Sequence, residues 1–264
     1  MTTGRFIFDY WHLNWVAVSI AVLLLYFHLS TNNYRLNRKS FYFFSGVFLL
    51  LLVTVSPIYY LGLHYLFSAH MIETIVLLLI VPPMLLAGTG PEFPKKMHQS
   101  WFRKTGDLLF SPAMAWLIGM GTMYFWHIPG VFGTMMGSPV LHDIRMVSLL
   151  VLGIIFIWPV YAPVEWRKLE PMTSILYLFI ACVGCTILGI LITFSTSPVY
   201  ISYYTWGNTA VAAMLRNSWQ ITQMGDQEAA GLIMWVPACI IYITNSMVIL
   251  ARMFGGAYEF RKRK

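Results

Sequence analysis

The sequence predicts an all-α membrane protein in which a single domain, residues 1–264, crosses the bilayer seven times. The first reason is composition: 58% of the 264 residues are hydrophobic and 10% are charged, with a mean hydropathy of +0.68, whereas soluble domains carry about 25% charged residues. The second is the length of the apolar runs, because a helix needs about 20 apolar residues to cross a hydrocarbon core. The third is that runs such as LLLLVTV do not alternate in polarity, as the strands of a membrane barrel would.

Seven apolar windows define the predicted spans. In chain order they cover residues 11–29, 41–60, 70–87, 108–126, 139–161, 172–194 and 229–251. The segments between them are too short for a separate folded domain. The first window lacks the basic start and the small-residue cleavage site of a signal peptide, so we expect it to be retained as a helix.

The distribution of basic residues predicts the orientation of the spans. Of the 17 Lys and Arg residues, all except Arg5, Arg145 and Arg216 fall on one side if the spans alternate. That side holds Arg35, Arg38, Lys39, Lys95, Lys96, Arg103, Lys104, Arg167, Lys168, Arg252, Arg261, Lys262, Arg263 and Lys264. Because Lys and Arg are retained in the cytoplasm, we expect the N-terminus outside and the C-terminus inside. The net charge of +7 then reflects topology and attraction to anionic lipid, and we expect no nucleic acid partner.

Five of the seven histidines lie on the predicted outer side of the protein. They are His12, His64, His70, His127 and His142. A single histidine at the end of a span often serves as an interfacial anchor. Five on one face, in loops that are poor in Lys and Arg, favour a common site.

Sulfur-containing side chains lie below these histidines along the predicted helices. Met123 shares one helical stripe with His127, and Met146 follows His142 by one turn. Three cysteines lie deeper, about 13 to 15 Å or more below the outer ends of the last two spans: Cys182, Cys185 and Cys239. Thioether and thiolate ligands select Cu(I), but Met and Cys also fill apolar cores. Copper binding and plain packing both explain the pattern.

Glu73 and Arg145 are the two clear ionisable residues at membrane depth. Each lies about one turn into its predicted span, below His70 and His142 respectively. Because a buried charge is expensive in a bilayer, such residues usually face the bundle interior and have partners. We expect them to form an ion pair that joins the third and fifth spans. The alternative is a role in proton or ion passage.

Several motifs resemble those of one family of membrane proteins. They are His70 and Met71 before an apolar run that ends in Pro82 and Pro83, FWHIP at 125–129, LH at 141–142, ILGILITF at 187–194 and DQEAAGLIMWVP at 226–237. With them, the chain from about residue 40 to about residue 252 resembles the CtaG family of bacterial cytochrome c oxidase assembly factors.

The resemblance implies a multi-pass protein of the bacterial plasma membrane that helps to mature a haem-copper oxidase of the respiratory chain. It implies membrane lipid and cytochrome c oxidase subunits as partners, and copper, Cu(I), as a cargo that a chaperone delivers to the buried copper centre of the oxidase. No substrate bond is broken in such a role, so we do not expect an enzyme.

The chain departs from the family pattern at two places. Where the family has His-Met-x-Gln-His, this chain ends the motif with Glu73 and Thr74. Where the family has Leu-His-x-x-Glu-His, this chain ends it with Arg145 and Met146. Two family histidines are therefore missing, and an acid and a base have appeared in their neighbourhood.

The expected ligands of Cu(I) are His70, Met71, His142 and Met146, with His127 and Met123 adjacent. Further metal or partner contacts are expected from His64, Cys182, Cys185, Cys239, Asp226 and Glu228. Asp226 and Glu228 also have a simpler explanation, since acids in the first turn of a helix complement its dipole. The aromatic segment 200–219 predicts an interfacial loop or a short helix.

Two other functional classes remain open. A small ion or metal transporter would explain the intramembrane charges and a kink expected at Pro82 and Pro83, but no second half of the chain repeats the first. A ligand-free structural or accessory subunit would explain the missing histidines.

Overall fold

The computed structural model describes residues 9–31, 38–89, 108–163, 168–200, 203 and 209–262. Regular structure in these residues is helical and includes no strand, which confirms the all-α prediction. Several residues used above to predict the orientation lie outside the described residues: Arg5, Arg35, Lys95, Lys96, Arg103, Lys104, Arg167, Arg263 and Lys264. His98, which falls on the predicted inner side, also lies outside them.

The helices are numbered here in chain order. They are α1 (Trp15–Thr31), α2 (Arg38–Val55), α3 (Pro57–His64), α4 (Phe67–Ala87), α5 (Pro112–Trp126), α6 (Pro129–Met136), α7 (Pro139–Tyr161), α8 (Pro171–Thr193), α9 (Ala210–Ala213) and α10 (Gln223–Lys262). A π-type turn, Val76–Ile80, lies within α4, and another, Met214–Ser218, extends α9.

Four of the described helices, α4, α7, α8 and α10, are long and apolar enough to cross a membrane. The bent pair α2 and α3 makes a fifth crossing if it acts as one span. Helix α1 has 17 residues and α5 has 15. At a rise of 1.5 Å per residue, α5 is about 22 Å long, shorter than a hydrocarbon core of about 30 Å. The helical membrane character is therefore supported, but the predicted count of seven spans and the orientation of the termini are not confirmed.

The second predicted window is not one continuous helix. Ser56 ends α2, and its hydroxyl accepts a hydrogen bond from the backbone N–H of Ile58 at 3.3 Å. Pro57 takes the first position of α3, where its missing N–H is tolerated. The capping serine and the proline together start a new helix, and the two helices meet at a bend of 48°.

Helices α4 and α7 approach closely at Gly153. A Cβ added to Gly153 would lie 2.7 Å from the carbonyl oxygen of Leu78 and 2.9 Å from Cγ of Pro82. Pro82 has no N–H to donate to the Leu78 carbonyl, and the chain instead forms the π-type turn just before it. The kink expected at Pro82 and Pro83 thus takes the form of a widened turn, against which only a glycine of α7 fits.

Helices α8 and α10 are also held together by small residues. A Cβ on Gly231 would lie 2.2 Å from Oγ1 of Thr193, and one on Gly189 would lie 2.5 Å from the ring of Trp235. Small residues of this kind let membrane helices pack backbone to backbone. In the same interface Sγ of Cys182 lies 2.8 Å from Sγ of Cys239, while Sγ of Cys185 lies 3.4 Å from the Met234 carbonyl.

We expect Gly153→Leu to separate α7 from α4 and to lower the free energy of unfolding by about 1–3 kcal/mol, the usual cost of overpacking. Thermal unfolding in detergent, followed by tryptophan fluorescence, measures the effect. Gly121→Leu is the matched control, because a Cβ on Gly121 meets nothing within 4 Å. Equal melting temperatures for the two variants would contradict the close approach.

We also expect copper phenanthroline and oxygen to oxidise Cys182 and Cys239 to a disulfide, leaving Cys185 free. N-ethylmaleimide uptake under denaturing conditions, measured by intact mass, should then fall from three groups per chain to one. Cys185→Ala should leave no reactive thiol after oxidation, whereas Cys239→Ala should keep both of its thiols. Oxidation of Cys185 in preference to Cys182 would show that α8 and α10 pack differently.

Candidate functional site

The first turns of α4 and α7 place four ionisable side chains in one buried cluster. His70 and Glu73 come from α4, and His142 and Arg145 come from α7. Each is at most 2% exposed. One ligand atom each from His70, Glu73 and His142 lies within 4.8 Å of the others. The spacing of these residues along the sequence predicts the cluster only if α4 and α7 pack side by side. They do so in the structure.

Arg145 connects the two helices through an ion pair. Its Nη2 donates a hydrogen bond to Oε2 of Glu73, and its Nη1 donates to Oγ1 of Thr74 at 3.0 Å. Nε2 of His142 lies 3.5 Å from Nη2 of Arg145 and 3.7 Å from Oε2 of Glu73. The structure therefore brings together the acid and the base that the sequence pairs, with Thr74 in the same contact.

Three polar atoms of this cluster have no hydrogen-bond partner among the described residues. They are Nδ1 of His70, Oε1 of Glu73 and Nε of Arg145. A buried polar atom without a partner is destabilising, and in native proteins such atoms usually mark a bound group or a functional role. Imidazole nitrogen and carboxylate oxygen are metal ligands, so the chemistry of two of these atoms fits a metal ion.

The charge of Arg145 restricts which ion fits. An ion held by His70, Glu73 and His142 would lie within a few ångströms of the guanidinium group. The repulsion from the guanidinium, about 4 kcal/mol for unit charges 4 Å apart at an effective dielectric constant of about 20, opposes the attraction to the Glu73 carboxylate. Because Arg145 already neutralises Glu73, the cluster offers little net negative charge to a cation.

Met71 and His127 are two further candidate ligands next to this cluster. Met71 follows His70 in the sequence, and His127 interacts electrostatically with His70. Nε2 of His127 lies 3.4 Å from Sδ of Met71, and Nδ1 lies 2.5 Å from the carbonyl oxygen of Met123. A carbonyl only accepts hydrogen bonds, so Nδ1 carries the proton and the lone pair of Nε2 faces the thioether. An ion that binds sulfur at about 2.3 Å and nitrogen at about 2.0 Å in tetrahedral geometry keeps them about 3.5 Å apart.

The imidazole of His127 is neutral at physiological pH. Burial lowers its pKa to about 4, although the hydrogen bond to Met123 acts in the opposite direction. His127 follows the last residue of α5 and is 5% exposed. A neutral ring with one nitrogen fixed by a backbone carbonyl is the usual state of a histidine that binds metal.

A polar network behind His142 was not predicted from the sequence. Nδ1 of His142 lies 3.4 Å from the hydroxyl of Tyr59 on α3. Nδ2 of Asn14 lies 3.3 Å from the same hydroxyl and 3.2 Å from Oδ1 of Asp143. The only signal in the sequence is that Asn14 and Asp143 are polar residues at the edges of apolar windows. The network connects the His142 ring to α3 and to the residue that precedes α1, and so fixes its orientation.

Asp226 has a second role that the sequence does not predict. It lies in the first turn of α10, as expected, and its carboxylate also caps a different helix. The oxygens accept hydrogen bonds from the backbone N–H groups of Phe67 at 2.7 Å and Ser68 at 3.2 Å, and from the hydroxyl of Ser68. Asp226 therefore also complements the dipole of α4, the helix with His70 and Met71. Glu228 is exposed.

Aromatic side chains cover the cluster. The ring centroid of Phe132 lies 5.1 Å from that of His70, and those of Phe67 and Tyr200 lie 4.2 Å apart. Tyr200 also donates a hydrogen bond to the carbonyl oxygen of His127 at 2.8 Å. Tyr200 and Tyr203 are at most 3% exposed. In segment 200–219, Tyr200 and Tyr203 are therefore buried against the site, and residues 210–218 form α9 with its π-type extension.

Comparison with known proteins gives one match. The family model of the cytochrome c oxidase caa3 assembly factor, CtaG, matches residues 20–255, most of the chain. The chain belongs to the CtaG family. Comparisons with the curated proteins and with the solved structures give no match. The family assignment agrees with the resemblance found in the motifs, and it establishes a cytochrome c oxidase assembly factor family as the context of the site.

The remaining candidate residues are two methionines next to the site and four residues away from it. Met146 is buried one turn after His142, and Met123 is buried and accepts the His127 hydrogen bond through its backbone. His64 is exposed at the end of α3. The three cysteines lie in the interface of α8 and α10, and Cys182 pairs with Cys239 of the neighbouring helix rather than with Cys185. In this CtaG-family chain, the site thus consists mainly of α4, α7 and the end of α5.

We expect Glu73→Gln and Arg145→Met each to lower the free energy of unfolding by about 3–5 kcal/mol, because each leaves one buried charge without its partner. The double variant should recover most of this loss. A double-mutant cycle from denaturant unfolding in detergent measures the coupling between the two residues.

The controls for this cycle are Glu228→Gln and Arg216→Met, which change exposed residues of the same types. They should alter stability by less than about 0.5 kcal/mol. Additive effects of Glu73→Gln and Arg145→Met would contradict a structural ion pair.

Proposed function

We propose that this CtaG-family protein binds Cu(I) at the outer ends of α4, α5 and α7 and transfers it to a subunit of a cytochrome c oxidase during assembly. The observation that carries the proposal is the facing pair of Met71 and His127, with 3.4 Å between sulfur and unprotonated nitrogen. Two lone pairs that face each other repel unless a cation lies between them. A thioether with an imidazole is a ligand pair that suits Cu(I).

The nearby cluster supports a monovalent cargo. His70 is next to Met71 on α4, and its Nδ1 has no partner among the described residues. Rotation of the His70 ring brings Nδ1 to the ion as a third ligand, and no hydrogen bond of Nδ1 has to be broken. Because Arg145 compensates Glu73, a site of neutral ligands holds one positive charge and disfavours divalent ions.

Transfer proceeds by ligand exchange in this proposal. A ligand from the oxidase subunit adds to the ion, and the bonds to Met71 and His127 are released in turn. The thioether is the weaker ligand and leaves first. No covalent bond of a substrate is broken, so the protein acts as a chaperone for copper and not as an enzyme.

The proposal includes the seven-span topology, with the N-terminus outside and the C-terminus in the cytoplasm of a bacterium. Besides the four or five crossings supported by length, α1 is an apolar helix of 17 residues. Helix α5 has 15 residues, and both helices contribute to the hydrophobic core of the bundle. With them the histidine cluster lies at the extracytoplasmic face of the plasma membrane, where the positive-inside rule puts it. That position is suited to a copper centre assembled from outside.

A ligand-free structural subunit is the second candidate function. The specific observation in its favour is that Arg145 occupies an oxygen of Glu73, one of the potential metal ligands. In that case the cluster serves only to hold α4 and α7 together. The two functions differ in whether the purified protein binds Cu(I).

We expect Met71→Leu to weaken Cu(I) binding at least tenfold, about 1.4 kcal/mol, with little change in melting temperature. Met120→Leu is the matched control, since Met120 is also a buried methionine, 4% exposed, but is deeper in α5. Competition with bicinchoninate under anaerobic conditions measures the affinity. The variant His70→Ala/His142→Ala should lose copper as well, whereas His98→Ala should not.

The same variants should be tested in cells that depend on this protein for oxidase assembly. Met71→Leu should lower the copper content and the activity of the oxidase relative to Met120→Leu. A wild-type protein that binds no Cu(I) but still restores the oxidase would overturn the copper proposal in favour of a structural subunit. Copper uptake by vesicles that contain the protein would favour a transporter.

A further inference from the structure

A cavity of about 1100 Å³ lies at the end of the bundle opposite the histidine cluster. It is formed where α4 and α7 end and where α2 and α8 begin, and α10 closes one side. His70 and His142 lie at the other ends of α4 and α7. The cavity is therefore separate from the candidate copper site by the length of these helices.

The wall of this cavity is mainly apolar. Pro83 and Met84 of α4, Val160 of α7 and Ile241 of α10 contribute to it. Polar groups of the wall are partly satisfied within the protein, since the hydroxyl of Tyr161 donates to Oδ1 of Asn245, and Nδ2 of Asn245 donates to the Ile241 carbonyl at 2.7 Å. At about 1100 Å³ the cavity exceeds most small-molecule pockets, which measure about 300–1,000 Å³.

Three basic residues surround the mouth of the cavity. Lys39 belongs to the first turn of α2, Lys168 precedes α8, and Arg252 is on α10. All three are exposed. An apolar cavity with a cationic mouth is complementary to an amphipathic anion, with its charge at the mouth and its chains inside.

We infer that this cavity binds an anionic phospholipid, whose phosphate lies among Lys39, Lys168 and Arg252 and whose acyl chains follow the apolar wall. Basic pockets between membrane helices on the cytoplasmic side bind anionic headgroups in this way. A free phosphate ion has no apolar part for the wall, and a zwitterionic lipid carries a cation that meets the three basic residues. The site is independent of the copper proposal.

Native mass spectrometry of the full-length protein, released from detergent with phosphatidylglycerol or phosphatidylcholine, tests this site. We expect the wild type to retain phosphatidylglycerol in preference to phosphatidylcholine. Lys39→Gln/Lys168→Gln/Arg252→Gln should weaken phosphatidylglycerol binding at least about tenfold, because each cation contributes separately to the attraction. Lys39→Arg/Lys168→Arg should keep it. An excess of inorganic phosphate should not displace the lipid.

The matched control removes the same charge from the C-terminal tail, in Lys262→Gln/Arg263→Gln/Lys264→Gln. This variant should retain the lipid as the wild type does. Equal retention of the two lipids by the wild type would overturn the inference, as would equal loss in the tail variant and the cavity variant. Displacement by inorganic phosphate would show that the mouth recognises the phosphate group alone, and it would overturn the role of the apolar wall in binding. Melting temperatures identify any variant that fails to fold, and the three single substitutions then replace the triple variant.

Discussion

A carboxylate and a guanidinium that leave water each lose several kcal/mol of solvation, and only a close partner compensates for that loss. In this chain the pair Glu73 and Arg145 is buried in the interface of α4 and α7. The other contacts of the site follow from this constraint. Thr74 accepts the second hydrogen bond of Arg145, and His142 lies one turn before it on the same face of α7. The two helices cannot slide or rotate relative to each other without separating a buried charge from its counterion.

The candidate site has two parts with different chemistry. One part contains the ion pair with His70 and His142, and here the charges are already balanced. The other part contains Met71 and His127, whose facing sulfur and nitrogen carry no charge. The two family histidines that are missing correspond to Thr74 and Met146, in the first part. Relative to the family pattern that the motifs resemble, Thr74 and Met146 thus stand beside the ion pair in place of two histidines, while Met71 and His127 face each other on the other side of the cluster.

Much of the fold could be predicted from hydropathy and capping residues. Helix α7 has the bounds of its predicted window, because Ser138 and Pro139 form a strong start and the sequence after Arg145 stays mostly apolar up to Tyr161. The prediction of one continuous helix in the second window was wrong, because hydropathy averaged over 20 residues does not detect a single Ser-Pro pair. Helix α10 extends beyond its window at both ends, since its first turns and its last turns are helical but not apolar. Window averages predict where lipid-compatible helices lie, but they do not predict where these helices begin and bend.

The site was harder to predict than the helices, for a different reason. Glu73 and Arg145 could be paired from sequence since each must find a counterion, and few charges were available at that depth. The facing of Met71 and His127 depends on how α4 and α5 pack, and the protonation of His127 depends on a carbonyl of its own helix. Asp226 is a further case, since its hydrogen-bond partners are about 160 residues earlier in the chain. Spacing within one helix contains no information on such contacts.

The hydrogen bonds of Asp226 also link two helices that differ greatly in their surroundings. Only 17% of the most apolar window of α10 is buried within the protein, so most of its surface faces outward, whereas 72% of α4 is buried. The carboxylate on α10 holds the first two N–H groups of α4, three residues before His70. A displacement of the outward-facing helix at this end must either expose two backbone donors or pull the start of the inner helix with it. The protein thus contains a direct mechanical connection from its periphery to the buried His70.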